Sequence, residues 1–257
     1  MDGPVETSHG PDFPSSEEEA AGRRRDALLI GLTFASGAVD AVSYLGLGQI
    51  FTANMTGNVV FLALAAGEHS LLLGLRSVLA LIAFSAGAFA AGRILAGPRL
   101  PGLWPRSITW LLWIELAILL LFAAAWAVEG GAPSAGWLYL LIGLSSVGMG
   151  LQNAAARHLA VPGLTTTVVT VALTGFMVDL PALGIAGPSQ RRAGWALAAL
   201  FMGAALGATL VVYARPVAPL LAVVTLAGVV AGAQRSFGRK DSSRTAVGGE
   251  GLSKRQD

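Results

Sequence analysis

Long apolar runs separated by short polar breaks dominate the pattern along this chain. A helix needs about 20 apolar residues to span a bilayer, and six runs reach roughly that length. They cover residues 27–47, 73–97, 108–128, 136–156, 193–213 and 216–234. The pattern therefore predicts an all-α polytopic membrane protein.

Two further apolar segments do not fit a simple span. Residues 55–67 are short for a crossing, whereas residues 165–187 are long enough but begin with a threonine-rich stretch. The longer segment also carries Asp179 and Pro181, and a proline inside a helix removes a backbone hydrogen bond and bends or ends it. We therefore expect about eight hydrophobic helical segments, of which six are long spans and two are short or broken helices.

The order of segments is the same in two halves of the chain, about residues 27–128 and 136–234. An offset of 114 residues superposes two pairs of threonines: Thr52 on Thr166, and Thr56 on Thr170. Together, these features predict a two-fold internal repeat within a single transmembrane domain, residues 27–234.

The number of crossings depends on the two ambiguous segments. If both cross, the chain has eight crossings and two parallel repeats, which the length of residues 165–187 favours. If both enter and return, it has six crossings and two inverted repeats, as in many transporters. The six-crossing arrangement places more arginines on the cytoplasmic side, where Lys and Arg are enriched, so we prefer it while keeping both open.

Both ends of the chain are polar. Residues 1–26 are rich in proline and glutamate and are predicted to form a disordered tail. Arg23, Arg24 and Arg25 directly precede the first apolar run, which predicts a cytoplasmic N-terminus. Residues 235–257 are predicted to form a disordered basic tail, also cytoplasmic, near anionic lipid headgroups.

The composition argues against several classes of function. The chain has no cysteine and only three histidines, which are far apart in sequence. It shows no metal-ligand spacing, no Ser/His/Asp set and no nucleotide loop. We therefore expect no metal, no cofactor, no catalytic residues and no enzyme activity. The net charge of +2 comes mostly from the basic tail, so we expect no nucleic acid partner; the expected partners are the bilayer, a small solute or ion, and further copies of the chain.

The most informative polar cluster lies in residues 50–60, between two apolar runs. Four hydroxyl or amide side chains alternate there: Thr52, Asn54, Thr56 and Asn58. Such groups cost several kcal/mol each when unpaired in lipid, so they must face water, a ligand or another helix. An extended segment would point all four the same way, whereas a helix would spread them.

The cluster has a structural and a functional interpretation. Thr56 or Asn58 can cap the helix that follows, with Gly57 easing backbone approach. The functional interpretation is a helix N-terminus aimed at an anionic or polar solute inside the membrane. One helix end can serve both purposes.

Acidic residues inside apolar runs are the second feature. Asp40 lies in the first long run with Ser43 and Tyr44 on the same helical face. An intramembrane carboxylate is a candidate functional group, here either exchanging a proton or bonding two helices together. Glu115 and Asp179 are further buried charge candidates.

The second half has its own polar cluster. Thr166 and Thr170 share a helix face, and Gln152 and Asn153 on the preceding helix can close the same cavity. Threonines in membrane helices often bond back to their own backbone, so packing is the alternative to solute binding here. Glu115 has candidate partners on a neighbouring run, which are Arg76 and Arg93.

Four stretches carry a family resemblance. Residues 37–45 (Gly-Ala-Val-Asp-Ala-Val-Ser-Tyr-Leu) and 51–58 (Phe-Thr-Ala-Asn-Met-Thr-Gly-Asn) resemble a signature of the YoaK-like family of bacterial membrane proteins. Residues 148–157 and 165–170 resemble that family's second signature, and the likeness runs from about residue 27 to 234. The resemblance implies a bacterial inner-membrane location and supplies no substrate, because the family is a domain of unknown function.

Two hypotheses for the function follow from these features. The first is a transporter or channel for a small polar or anionic solute, bound by two Thr/Asn-rich half-sites and with Asp40 as a candidate proton carrier. The alternative is a non-transporting membrane scaffold or regulatory protein, in which helix packing satisfies the polar groups.

Overall fold

The computed structural model of the chain describes residues 15–96, 103–161 and 188–238. Within these ranges the protein consists of seven α-helices and one 3-10 turn, without strands, which confirms the predicted all-α class. The helices are α1 (Ser16–Gly46), α2 (Met55–Gly67), α3 (Leu71–Leu95), α4 (Arg106–Val128), α5 (Ala135–Leu159), α6 (Pro188–Tyr213) and α7 (Leu220–Phe237), and the 3-10 turn is Arg215–Val217.

Six of the described helical stretches are long and apolar enough to cross a membrane. They are α1, α3, α4, α5, α6 and the stretch Arg215–Phe237, which joins the 3-10 turn to α7. Helix α2 has 13 residues and is about 20 Å long at 1.5 Å per residue, well short of a hydrocarbon core of about 30 Å. The polytopic architecture predicted from the apolar runs is therefore confirmed.

The first helix begins earlier than predicted. Helix α1 starts at Ser16, so residues 16–26 are helical instead of forming part of a disordered tail. The Ser15 hydroxyl accepts the N–H of Glu18, and the Glu18 carboxylate accepts the N–H of Ser15. This capping box satisfies N–H groups that a helix start otherwise leaves unpaired, and it lets the helix extend beyond its apolar part.

Two pairs of helices pack at glycines and run parallel. A side chain added at Gly37 of α1 would collide with the carbonyl of Leu200 in α6, and the start of α6 is tied to α1 by the ion pair between Arg192 and Asp26 (3.2 Å). Gly203 and Gly207 of α6 lie at the same interface, against the backbone of α1. Helices α3 and α5 pack in the same manner. Missing side chains allow this close approach of two backbones.

Helices α1 and α5 run antiparallel. Ser36 of α1 contacts Gln152 of α5, and seven residues further along α1 Ser43 lies beside Thr52, which contacts Ser145 of α5. From the first pair to the second, the residue number increases along α1 and decreases along α5, so these two helices run in opposite directions. Helix α6 runs parallel to α1. Helices α5 and α6 are therefore antiparallel too, so α5 ends and α6 begins at the same end of the bundle.

Helix α2 does not carry the chain across the bundle. Arg76, in the second turn of α3, donates to the carbonyl of Gly48 just after α1 (3.4 Å), so α3 begins where α1 ends. The segment between them enters and returns. The described part of the chain thus contains six candidate spans, and α2 is not one of them.

Arginines concentrate at one end of the bundle, where α1, α4 and α6 begin and α3, α5 and α7 end; we refer to it as the basic end. In the described part of the chain this end holds Arg23, Arg24, Arg25, Arg93, Arg106, Arg157, Arg191, Arg192 and Arg235. The opposite end holds Arg76 and Arg215. At the opposite end, the indole N–H of Trp126 donates to the carbonyl of Arg215 (2.7 Å).

Candidate functional site

The loop between α1 and α2 folds back along α1 and is held by Asp40. One carboxylate oxygen of Asp40 accepts the N–H of Thr52 (3.0 Å) and the N–H of Ala53 (2.8 Å). Asp40 lies six residues before the end of α1, so the loop reaches about 9 Å into the bundle. Charge-assisted bonds of this kind are roughly twice as strong as neutral ones. The carboxylate therefore anchors the returning loop.

A chain of buried hydroxyls links this loop to two helices. The Thr52 hydroxyl lies 3.1 Å from that of Ser43 on α1 and 2.8 Å from that of Ser145 on α5. All three side chains are fully buried, and the Ser43 hydroxyl also donates to the carbonyl of Val39. The loop is thus tied to α5 as well as to α1.

Asn58 holds the loop from the side of α2. Its amide oxygen accepts the N–H of Phe51 (3.0 Å), and its amide nitrogen donates to the carbonyl of the same residue (2.6 Å). The Phe51 ring stacks on Tyr44 and on Phe61, with centroid distances of 5.3 Å and 5.6 Å, and those two rings lie 6.3 Å from each other. A side chain at Gly57 would come within 2.7 Å of that ring. The absence of a side chain there allows α2 to start against the loop.

The first turn of α2 is capped by Asn54. Its side-chain oxygen accepts the N–H of Gly57 (3.4 Å). The prediction that Thr56 or Asn58 provides the cap is wrong, because Thr56 lies inside the helix and Asn58 is occupied with Phe51.

The four alternating polar side chains divide into two pairs. Thr52 and Asn58 are fully buried and hold the fold, whereas Asn54 and Thr56 are exposed at the start of α2. The four side chains do not point the same way, as they would in an extended segment. Helix α2 begins at Met55, so the later side chains are distributed around its axis. The exposed pair is the part of the cluster that can meet a solute.

Gln152 and Asn153 behave differently from one another. The amide nitrogen of Gln152 donates to the Ser36 hydroxyl (2.7 Å) and to the carbonyl of Leu32 (3.1 Å), joining α5 to α1. Its amide oxygen is buried and has no hydrogen-bond partner among the described residues. Asn153 donates to the carbonyl of Met149 in its own helix (3.0 Å). Gln152 lies seven residues, about 10 Å, along α5 from Ser145, so it extends the polar seam between α1 and α5.

Glu115 stands apart from the loop. Its side chain is fully buried on α4, and neither carboxyl oxygen has a hydrogen-bond partner in the part of the chain that the structure describes. The predicted partners do not reach it: Arg76 contacts Gly48, and Arg93 is exposed near the end of α3. Glu115 is therefore a buried acid without a counter-charge among the described residues.

Three predicted site residues, Thr166, Thr170 and Asp179, lie outside the described residues. Among those described, no group of three or more acidic or histidine side chains is placed to bind a metal. Two further residues belong to the site but were not predicted from the sequence: Ser145, which bonds to Thr52, and Phe51, which bonds to Asn58. The adjacent serines at 145 and 146, inside an apolar span, were the available signal for the first.

The long apolar helices and the returning loop define the class of protein, a polytopic α-helical membrane protein. A family model described as a protein of unknown function (DUF1275) matches residues 28–232, and this chain belongs to that family. It is also similar to the UPF0700 transmembrane protein YoaK of Bacillus subtilis (strain 168), with 38% identity over 156 residues, 61% of this chain and 67% of the relative. No solved structure matches the chain. The resemblance predicted from the two signatures is confirmed.

Proposed function

We propose that this protein is a transporter or channel for a small polar or anionic solute in the inner membrane of a bacterium. The observation that carries the proposal is the start of α2, which is held against the returning loop by Asn58, with Asn54 and Thr56 exposed beside it. The first N–H groups of a helix and its dipole favour negative charge, and many transporters bind solutes at such interrupted helices. Asp40 supports this role by fixing the loop that positions the helix start.

The orientation belongs to the same proposal. Cytoplasmic loops carry an excess of Lys and Arg, so the basic end is assigned to the cytoplasm. Helix α1 begins and α7 ends at the basic end, so the proposal assigns the N- and C-termini to the cytoplasm. The start of α2 then opens from the opposite, external side.

An inverted repeat is also part of the proposal, and the glycine contacts support it. Gly37 of α1 meets the carbonyl of Leu200 in α6, and Gly150 of α5 meets the carbonyl of Phe84 in α3. In return, Gly203 of α6 meets Phe34 of α1, and Gly87 of α3 meets Val147 of α5. Exchanging α1 with α5 and α3 with α6 converts one set of contacts into the other. Since α1 and α5 are antiparallel, the relation between the halves is an inversion, with Asn153 in the place of Asp40.

A ligand screen by thermal shift on the purified full-length protein tests the proposal. A ligand that binds only the folded state stabilises it by about 2.7 kcal/mol at a hundredfold excess over its Kd. We expect one class among sugars, amino acids, carboxylates, inorganic ions and nucleosides to stabilise the wild type. Thr56→Ala should lose this stabilisation, because Thr56 is exposed beside the helix start and its loss leaves the packing intact.

Thr209→Ala is the matched control. Thr209 is an exposed threonine on α6 that bonds only its own helix, at the carbonyl of Ala205 (2.8 Å). This variant should respond to the ligand as the wild type does. The stabilising solute is then tested for uptake into proteoliposomes. A stabilising solute that is not carried across the membrane would overturn transport, and a screen without any hit would do the same.

A second candidate function, a scaffold or regulator that does not transport, is favoured by one observation. The buried polar side chains of the loop, Thr52 and Asn58, are satisfied by neighbouring helices and need no solute. Under this hypothesis Thr56→Ala leaves every ligand response unchanged. Normal ligand binding combined with absent uptake would also favour it.

A further inference from the structure

Glu115 lies deep in the membrane-spanning part of α4. It is nine residues from the start of that helix at Arg106 and 13 from its end at Val128, which places it about 14 Å and 20 Å from the two ends. Its side chain is fully buried, and neither carboxyl oxygen has a hydrogen-bond partner in residues 15–96, 103–161 and 188–238. Most buried polar side chains in folded proteins are paired, so this group requires an explanation.

The buried face of α4 on either side of Glu115 is apolar. On α4 it shares the buried face with Leu111, Leu112 and Leu119. On the facing helix α5, a side chain added at Gly148 would lie 3.8 Å from Cγ of Glu115. Helix α7 also packs against α4, and its segment 220–234 has no titratable side chain.

Charged and titratable groups on the packed elements are all remote. On α5, Tyr139 and Arg157 each lie nine residues from Gly148, or about 14 Å along the helix, and His158 lies one residue further. On α3, α7 and the 3-10 turn the arginines stand near helix ends, at Arg76, Arg93, Arg235 and Arg215. None of these bonds to Glu115, since its oxygens have no partner.

Packing alone does not account for an acid at this position. An unpaired ionised carboxylate in such surroundings costs several kcal/mol, and an apolar side chain of similar volume would fill the space without that cost. Gln152 supplies a second unpartnered acceptor, its buried amide oxygen, one helical turn from Gly148 towards the basic end. Two unfilled acceptors on α4 and α5 therefore lie on the same side of the bundle, towards the cytoplasm in the orientation proposed above.

We propose that Glu115 is a proton-binding site inside the membrane, loaded from the basic end. In the arrangement described here the carboxyl group holds the proton, and it returns the proton to water when the helices part. The proton moves between water and a carboxyl oxygen, and no other bond changes. The inference deepens the proposed transport function by assigning the proton to Glu115 instead of Asp40, whose carboxylate is engaged with two backbone N–H groups.

Labelling with dicyclohexylcarbodiimide tests this site without any substrate. The protonated acid adds across a C=N bond of the reagent to give an O-acylisourea, which rearranges to a stable N-acylurea that peptide mass spectrometry locates. We expect labelling of the full-length wild type at Glu115 that decreases with rising pH along a single-proton titration curve. Glu129, the half-buried C-cap residue of the same helix, accepts the N–H of Ser134; it is the internal control and should stay unlabelled.

The variants sharpen the test. Glu115→Gln should abolish the labelled peptide, and Glu115→Asp should restore it, whereas Glu129→Gln should leave it unchanged. The site of attachment is read in the wild type, so the result does not depend on the folding of a variant. Absence of label at Glu115, or labelling that does not vary with pH, would overturn the proposal.

Competition with cations separates a proton from a metal ion. Sodium chloride at constant pH should protect Glu115 no better than choline chloride does. Selective protection by sodium would overturn the proton assignment in favour of a cation site. Labelling does not require solute transport. If Glu115 is labelled in a protein that carries no solute, the transport proposal is refuted and the proton-site proposal is not.

Discussion

Asp40 and Glu115 are acidic residues with similar sequence surroundings, but the structure surrounds them with different partners. Each lies inside a long apolar helix of the first half of the chain. Asp40 is half-buried and accepts two backbone N–H groups from the returning loop, while Glu115 is fully buried and accepts none. An intramembrane carboxylate can therefore anchor the backbone or remain available to bind a proton, depending on whether hydrogen-bond donors lie next to it.

The largest effect should come from removing the anchor. Asp40→Ala leaves the N–H groups of Thr52 and Ala53 without an acceptor, and we expect the free energy of unfolding to fall by about 3 kcal/mol. Asp40→Asn keeps one acceptor oxygen and should lose less. Denaturant titration in detergent measures both. Equal stability of Asp40→Ala and wild type would show that the carboxylate does not hold the loop.

The clamp on Phe51 should give the next largest effect. Asn58→Ala removes the acceptor for the Phe51 N–H and the donor to its carbonyl, so we expect a loss of about 2 kcal/mol in the free energy of unfolding. Asn54→Ala, which removes only an exposed cap, is the control and should cost about 1 kcal/mol or less. A larger loss of stability for Asn54→Ala than for Asn58→Ala would show that the loop depends mainly on the Asn54 cap.

The hydroxyl chain is the third point of comparison. Thr52→Val preserves the shape of the side chain but breaks its contacts with Ser43 and Ser145, and it should reduce the free energy of unfolding by about 1 kcal/mol. Thr56→Val, at an exposed position, should change it by less than about 0.5 kcal/mol. The same unfolding assay decides this. A larger loss for Thr56→Val would contradict the division between buried and exposed threonines.

The smallest effect, and the only gain in stability, is expected at Glu115. Glu115→Met removes a buried polar group without a partner and should raise the free energy of unfolding by about 1 kcal/mol. Glu115→Gln should lie within about 0.5 kcal/mol of the wild type, because one neutral polar group replaces another. A marked loss with Glu115→Met would mean that the acid has a stabilising role, which would bring it closer to Asp40.

Much of the fold was predictable because few backbone structures are stable inside a bilayer. Backbone groups in hydrocarbon must be bonded within their own segment, so each long apolar run has to be a helix. The short run 55–67 was located to the residue, and α2 is Met55–Gly67. The prediction differed most at the start of α1, where the capping box of Ser15 and Glu18 extends the helix over polar residues.

The polar residues of the site were located, but their roles were not. Thr52, Asn54, Thr56 and Asn58 look alike in sequence, yet only the first and last are buried. Their roles depend on partners distant in the chain, such as Ser145, 93 residues after Thr52. Spacing along the chain cannot supply contacts of that range.

The sequence by itself determined that the chain is an all-α membrane protein of the YoaK-like family, with a polar break after its first span. Hydrophobic length and local polarity suffice for these conclusions, because the bilayer sets the length of every span. Only the tertiary structure decided that α2 returns without crossing, that Asp40 anchors the loop and that Glu115 stands unpaired. These features depend on which helices face one another, and that depends on packing between segments far apart in the chain.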